Sequence, residues 1–129
     1  MFLLDTNACV DFALARSDRL RARVREQNGR GMAISAITLG ELRFGARRPD
    51  ADPEDERRLD RLIAVLPAHP FDVRAANMYG RLGDAITVRR ITFDRLIAAH
   101  ALALDLTLVT NNERDFTDMP GLRVENWTV

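Results

Sequence analysis

The chain has 129 residues, 47% hydrophobic and 29% charged, and its 19 basic and 19 acidic side chains cancel to a formal net charge of zero. This fits one globular domain with its own core, excludes a disordered chain, and gives no global sign of nucleic-acid binding. No apolar run approaches the roughly 20 residues of a membrane-spanning helix. The N-terminus lacks the basic start and long apolar stretch of a secretory signal, so a cytoplasmic protein is expected. All basic side chains are arginine, and the absence of lysine removes both P-loop phosphate chemistry and Schiff-base chemistry. The single cysteine, Cys9, cannot form an internal disulfide and reads as a small core residue.

In chain order, Phe2-Leu3-Leu4 is a short apolar run that ends abruptly in Asp5-Thr6-Asn7, the pattern of a buried strand with a carboxylate at its end. A helix is predicted from about Asn7 to Ala15, then a second from Ser17, a good N-cap, to about Gln27, closed by Asn28-Gly29-Arg30-Gly31. The arginines around that second helix read as a solvated face. Met32-Ala33-Ile34 is a buried strand, and Ser35 caps a helix over about Ala36 to Arg47. Asp52 with Pro53 starts a charged amphipathic helix whose buried side carries Leu59, Leu62, Ile63 and Leu66. Pro67 to Phe71 is a third strand or extended link, and Asp72 caps a helix reaching about Val88. A buried helix follows from about Asp94. Leu106 to Thr110 is the next strand, and Leu122 to Trp127 the last. Strands alternating with helices imply an α/β fold with a parallel sheet and right-handed crossovers.

Several acids stand where an ordinary surface carboxylate would not. Asp5 ends a strand, and in open parallel sheets ligands collect beyond the carboxyl ends of the strands. Glu41 falls between Ile37 and Phe44 on an apolar stripe and so is expected to point toward the core, where an ionised carboxylate is costly unless it is paired or bound to a metal. Asp94 lies at the start of the buried helix; Thr92 can cap that helix equally well, which leaves Asp94 free. Asp115 follows the strand ending at Thr110, in a polar stretch with Asn111 and Asn112. His100 is about 240° around its helix from Asp94 and reads as a core or interface histidine; His69 lies exposed between two prolines.

The blocks LLDTN, SAITLGELRFGA, FDRLIAAHALALDLTLVTNNERDF and GLRVENW, in that order, resemble the PIN-domain ribonucleases of VapC type, the toxin halves of bacterial toxin–antitoxin pairs. The stretch from about Pro49 to Thr87 matches only in helical character. The resemblance implies a PIN-like three-layer fold with a central five-stranded parallel sheet in the order 3-2-1-4-5, flanked by helices, as one domain over residues 1–129. It places Asp5, Glu41, Asp94 and Asp115 on the acidic positions of the family, and Thr6, Asn7 and Thr110 on supporting polar positions. One departure is visible: a glycine common two residues before the third acid is here Thr92.

A donor set of carboxylates without histidine or cysteine is hard and oxygen-only, which suits Mg²⁺ or Mn²⁺ rather than zinc. Such a cation activates water against a phosphodiester. Asp5 and Asp94 are expected to ligate it directly, Glu41 to complete its surroundings or orient its water, and Asp115 to bind a second ion, hold a water or merely cap the turn before Phe116, with Asn111 among the supporting hydrogen-bonding residues. The resemblance implies structured RNA, transfer or ribosomal, as substrate, a small VapB-like antitoxin as partner, and dimers or toxin–antitoxin hetero-oligomers. Arg43, Arg47, Arg89 and Arg90 are candidate RNA contacts, although surface salt bridging is the commoner role. A metal-dependent nuclease acting on DNA and a non-catalytic PIN module that binds RNA or a partner are the alternatives. A phosphoacceptor receiver domain would need the missing lysine.

Overall fold

Alternation along three-residue strands decides which helix layer each side chain meets. In a computed structural model that describes residues 1–83 and 92–129, β1 (Phe2–Leu4) turns Leu4 to one face of the sheet and Leu3 to the other. β2 (Met32–Ser35) and β4 (Thr107–Val109) follow suit: Met32, Ile34 and Val109 join Leu4, while Ala33 and Leu108 join Leu3. With β3 (Ala68–His69) and β5 (Val124–Glu125) these form a parallel sheet in the order β3-β2-β1-β4-β5. The sheet and its order are those implied by the family resemblance.

On the Leu4 face lie α1 (Thr6–Ala13), α2 (Asp18–Gln27) and α4 (Asp55–Val65), contributing Ala8, Cys9, Leu20, Val24, Leu59 and Leu62 to a core that Trp127 closes. On the Leu3 face lie α5 (Val73–Leu82) and α6 (Phe93–Leu104), with Ile97, Ala98 and Ala101 packed under Phe116 and Met119. Between the layers, α3 (Ala36–Ala46) sends Leu39 and Leu42 to the first core and Ile37 to the second. Burying these side chains is the dominant favourable term, about 25 cal/mol per Å² of apolar surface removed from water. Among the described residues, no helix is long and apolar enough to cross a membrane.

Local signals set most boundaries. Ser17, Ser35, Asp72 and Thr92 cap α2, α3, α5 and α6 with their side chains. After α2 the chain reverses through Gly31 at φ 86°, where a Cβ would lie 2.6 Å from the Met1 nitrogen, so that Phe2 N–H can reach the Gly31 carbonyl at 3.0 Å. Several boundaries differ from expectation, three of them for a visible reason. The first helix starts at Thr6, one residue earlier, because Asp5 itself is its N-cap. The fourth starts at Asp55 rather than at Pro53: the Asp52 carboxylate accepts the Glu54 N–H at 2.9 Å in a separate turn. The last strand is two residues long instead of six, since Leu122 N–H turns back to the Met119 carbonyl and Trp127 packs edge-on against Phe2. The expected helix from Asp72 to Val88 is seen to Leu82; its remainder, with Arg89 and Arg90, lies outside the described residues.

Candidate active site

The sequence order of the sheet reverses between β1 and β4, and the acids gather at the carboxyl ends of those two strands. Asp5, directly after β1, is 2% exposed. Its backbone N–H donates to the Val109 carbonyl at 2.9 Å, locking it to β4, and its Oδ1 accepts the Ala8 N–H at 2.8 Å. The carboxyl is raised to about 6, chiefly by burial; Thr110 and the Ala8 amide act to lower it, and the charges of Asp94 and Asp11 to raise it. Thr110 is buried at the end of β4, and its Oγ1 also accepts the Asn112 N–H at 3.0 Å.

Glu41 projects from the middle of α3. Its Oε1 accepts the Thr6 hydroxyl at 2.7 Å, and Thr6 Oγ1 also lies 3.3 Å from the buried Thr38 hydroxyl. Burial raises the Glu41 carboxyl, the Thr6 bond lowers it, and the Asp94 charge raises it. The expected inward stripe of α3 is not what forms: Phe44 is 71% exposed, and Glu41 looks into the cleft between α1 and α3 rather than into a core. Leu39 and Leu42 do the packing, because α3 sits at the junction of three helices and buries two separate faces.

Asp94 lies in the first turn of α6. Thr92 Oγ1 takes the capping bond, from Arg95 N–H at 3.3 Å, so Asp94 is not needed for that role. Burial raises its carboxyl first and the charge of Asp115 second. Asp115 is exposed on a short 3₁₀ helix, Glu113–Phe116, and accepts a hydrogen bond from the Asn112 side chain. Asp94 is thus the hub: Asp5 and Glu41 both feel its charge, and it feels that of Asp115.

Among the described residues, none of these four acids pairs with an arginine, while Arg43 and Arg47, offered above as RNA contacts, are engaged by Glu56 at 2.6 and 2.7 Å. Arg43 also reaches Asp60 at 3.0 Å, so these two arginines tie α3 to α4. Asn7 is exposed, and Asn111 donates to Asp11 rather than to any of the four. Asp11 is a fifth carboxylate that sequence reasoning passed over. It pairs with Arg16 at 3.6 Å and adds to the field at Asp5. The available signal was a lone acid amid Val10, Phe12 and Leu14.

Among the described residues, no three acidic, histidine or cysteine side chains close on one point as a ready cage. The four acids are linked through their charges, Asp5 and Glu41 to Asp94 and Asp94 to Asp115, and Asp115 is exposed. An open set of this kind is compatible with Mg²⁺, which keeps several waters and takes only one or two carboxylates at a time. The donors are all oxygen, and the raised carboxyls lack a compensating cation from the described arginines, so the residues present fit a hard divalent ion.

The PIN-domain family model matches residues 2–122. Over 98% of its length the chain is 35% identical to the tRNA(fMet)-specific endonuclease VapC of Salmonella typhimurium, covering 97% of that protein. It is 31% identical to ribonuclease VapC2 of Rickettsia felis, covering 98% of both. The chain belongs to the VapC ribonucleases of the PIN-domain family. Among solved structures, VapBC2 of R. felis bound to a promoter DNA fragment superposes with a TM-score of 0.89 at 31% identity, with 98% of each chain covered. DNA-bound VapBC of S. typhimurium superposes with 0.88 at 34%, covering 98% and 97%. In this VapC-family chain a largely apolar cavity of about 270 Å³ opens beside Thr6 and Glu41, walled by Val10, Leu14, Leu42 and Leu59 from α1, α3 and α4. Cys9 forms part of its lining and is inert as a nucleophile, since burial and the Asp5 charge push the thiol up.

Proposed function

We propose that the chain is a divalent-metal-dependent endoribonuclease, the toxin of a toxin–antitoxin pair, that hydrolyses phosphodiester bonds in structured RNA. The observation that carries this reading is electrostatic: Asp5, Glu41 and Asp94 are all raised by burial and by neighbouring carboxylates, with no arginine partner among the described residues. Such repulsion costs stability, and a cation relieves it.

Asp5 and Asp94 are the residues assigned to hold Mg²⁺ or Mn²⁺, with Glu41 completing the surroundings and Asp115 assisting. When bound, the ion supplies Lewis-acid polarisation of a phosphoryl oxygen and an activated water. The protein's part is orientation. The Ala8 amide and the Thr110 side chain hold the Asp5 carboxylate in place, and the Thr6 hydroxyl holds Glu41. The first substrate to try is initiator tRNA, because the Salmonella relative is a tRNA(fMet)-specific endonuclease. The apolar cavity beside Glu41 is assigned to the tail of a VapB-like antitoxin, in keeping with the VapBC complexes among the structural neighbours.

The test is a cleavage gel on initiator tRNA, ribosomal RNA fragments and DNA, with Mg²⁺, Mn²⁺ or EDTA. RNA cleavage is expected with either ion, none in EDTA, and none from Asp94→Asn. Cleavage that survives EDTA removes the metal mechanism, and cleavage of DNA alone reassigns the substrate.

A further inference from the structure

Arg95 follows Asp94 directly, and its side chain is only 12% exposed. One residue from Asp94 in sequence, this guanidinium is a candidate competitor for carboxylates that have no arginine partner among the described residues. It turns elsewhere: Nη2 donates to Asp118 Oδ2 at 2.9 Å, and Nη1 meets Met119 Sδ at 3.3 Å. Asp118 comes three residues after Asp115, and Met119 is anchored in the α6-side core. The Arg95 hydrogen bond holds the Asp118 carboxyl below the usual carboxylate range, so Asp118 stays charged wherever the cluster acids do.

Resting on the metal-nuclease reading above, we propose that Asp118 is a positioning residue that parks the Arg95 guanidinium away from Asp94 and Asp115, so that the cluster keeps its negative charge for a divalent cation. The pair also ties the first turn of α6, which carries Asp94, to the segment that directly follows the 3₁₀ helix of Asp115. Stability alone is a poor reason for it, because a partly buried ion pair loses in desolvation much of what it gains in attraction. What distinguishes Asp118 from an apolar residue of similar size is that it occupies the one cation adjacent in sequence to the hub acid.

The experiment is calorimetric titration of the whole chain with Mn²⁺, without RNA, on wild type, Asp118→Asn, Arg95→Gln and the double variant, each checked by thermal melting in EDTA. Freed of its partner, Arg95 swings onto the cluster, and Asp118→Asn is expected to bind Mn²⁺ about tenfold or more weakly. Arg95→Gln should bind at least as tightly as wild type, and the double variant should regain wild-type affinity, because the competing cation is gone. Asp118→Glu, which keeps the carboxylate, should stay close to wild type. If Asp118→Asn binds normally, or if the double variant is as weak as Asp118→Asn, the pair is only a structural tie and the proposal is overturned. Wild type failing to bind Mn²⁺ at all is a different result, and it takes down the metal reading itself.

Discussion

One oxygen of Asp5 is committed to the Ala8 amide, so this carboxylate starts α1 as well as facing the acidic cleft. The two tasks separate by substitution. Asn is as good an N-cap as Asp, whereas Ala gives up about 1 kcal/mol. Asp5→Asn is therefore expected to unfold in urea like wild type or better, and Asp5→Ala earlier, while both lose RNA cleavage by about a hundredfold or more. An active Asp5→Asn would remove Asp5 from the metal site. Thr6 offers a finer probe. Its hydroxyl lowers the Glu41 carboxyl, so Thr6→Val should let that carboxyl rise and shift the acid limb of the pH–rate profile toward higher pH. An unshifted limb means that Glu41 ionisation does not govern the rate. That Asp5 ends a strand was legible in an apolar run that stops at a carboxylate. Its capping role and the neighbouring Asp11 were not, because both depend on where α1 starts, and Thr6 is as good a first helical residue as Asn7.

At the scale of elements, the buried Ser35–His100 contact joins the helix of Glu41 to the helix of Asp94. Ser35 Oγ accepts the Ile37 N–H at 3.1 Å, capping α3, and lies 2.8 Å from His100 Nδ1 on α6. Phe71 packs its ring edge-on against the imidazole at 5.3 Å. Among the described residues His100 Nε2 has no hydrogen-bond partner, and the Pro70 carbonyl favours the charged ring. Burial dominates, with the His69 charge adding to it, and keeps the imidazole below its usual value. Ser35→Ala removes a cap and strands Nδ1, so a loss of about 2 kcal/mol in chemical denaturation is expected; a loss of a few tenths would mean that the contact is incidental. The sequence pointed to His100 as a core histidine and Ser35 as a cap, but nothing in it could pair them across 65 positions. The periodicity of α3 misled for a related reason. A stripe through Ile37, Glu41 and Phe44 is real, yet three helices and the sheet compete for that element, and periodicity does not say which neighbour wins.

Over the whole molecule, a parallel sheet was readable from the alternation of short apolar runs and helices, whereas the strand order came from the family resemblance. What no winding rule supplies is the cost of collecting acids at the switch point, and that cost can be measured. The folded-state value of Asp5, about 6, lies above its ordinary 3.8, so between about pH 4 and pH 6 the folded chain keeps a proton that the unfolded chain has released. The Asp5 contribution to stability is therefore complete below about pH 4 and is lost as pH rises to 6, by up to roughly 3 kcal/mol at 1.4 kcal/mol per unit. Glu41 and Asp94 are raised and act in the same direction. His100, pushed down by burial, acts oppositely and costs stability as pH falls below its ordinary 6.5, but it is common to wild type and Asp5→Asn and cancels between them. In EDTA the melting temperature of wild type should thus fall relative to that of Asp5→Asn as pH rises from 4 to 7. A cation that binds only the folded chain reverses the order, adding about 2.7 kcal/mol at a hundred times its dissociation constant. With saturating Mn²⁺ at pH 7, wild type should melt higher than in EDTA, and Asp5→Asn should gain much less. Parallel melting curves for the two chains at every pH, with and without Mn²⁺, would mean that the acidic cleft stores no repulsion for an ion to relieve.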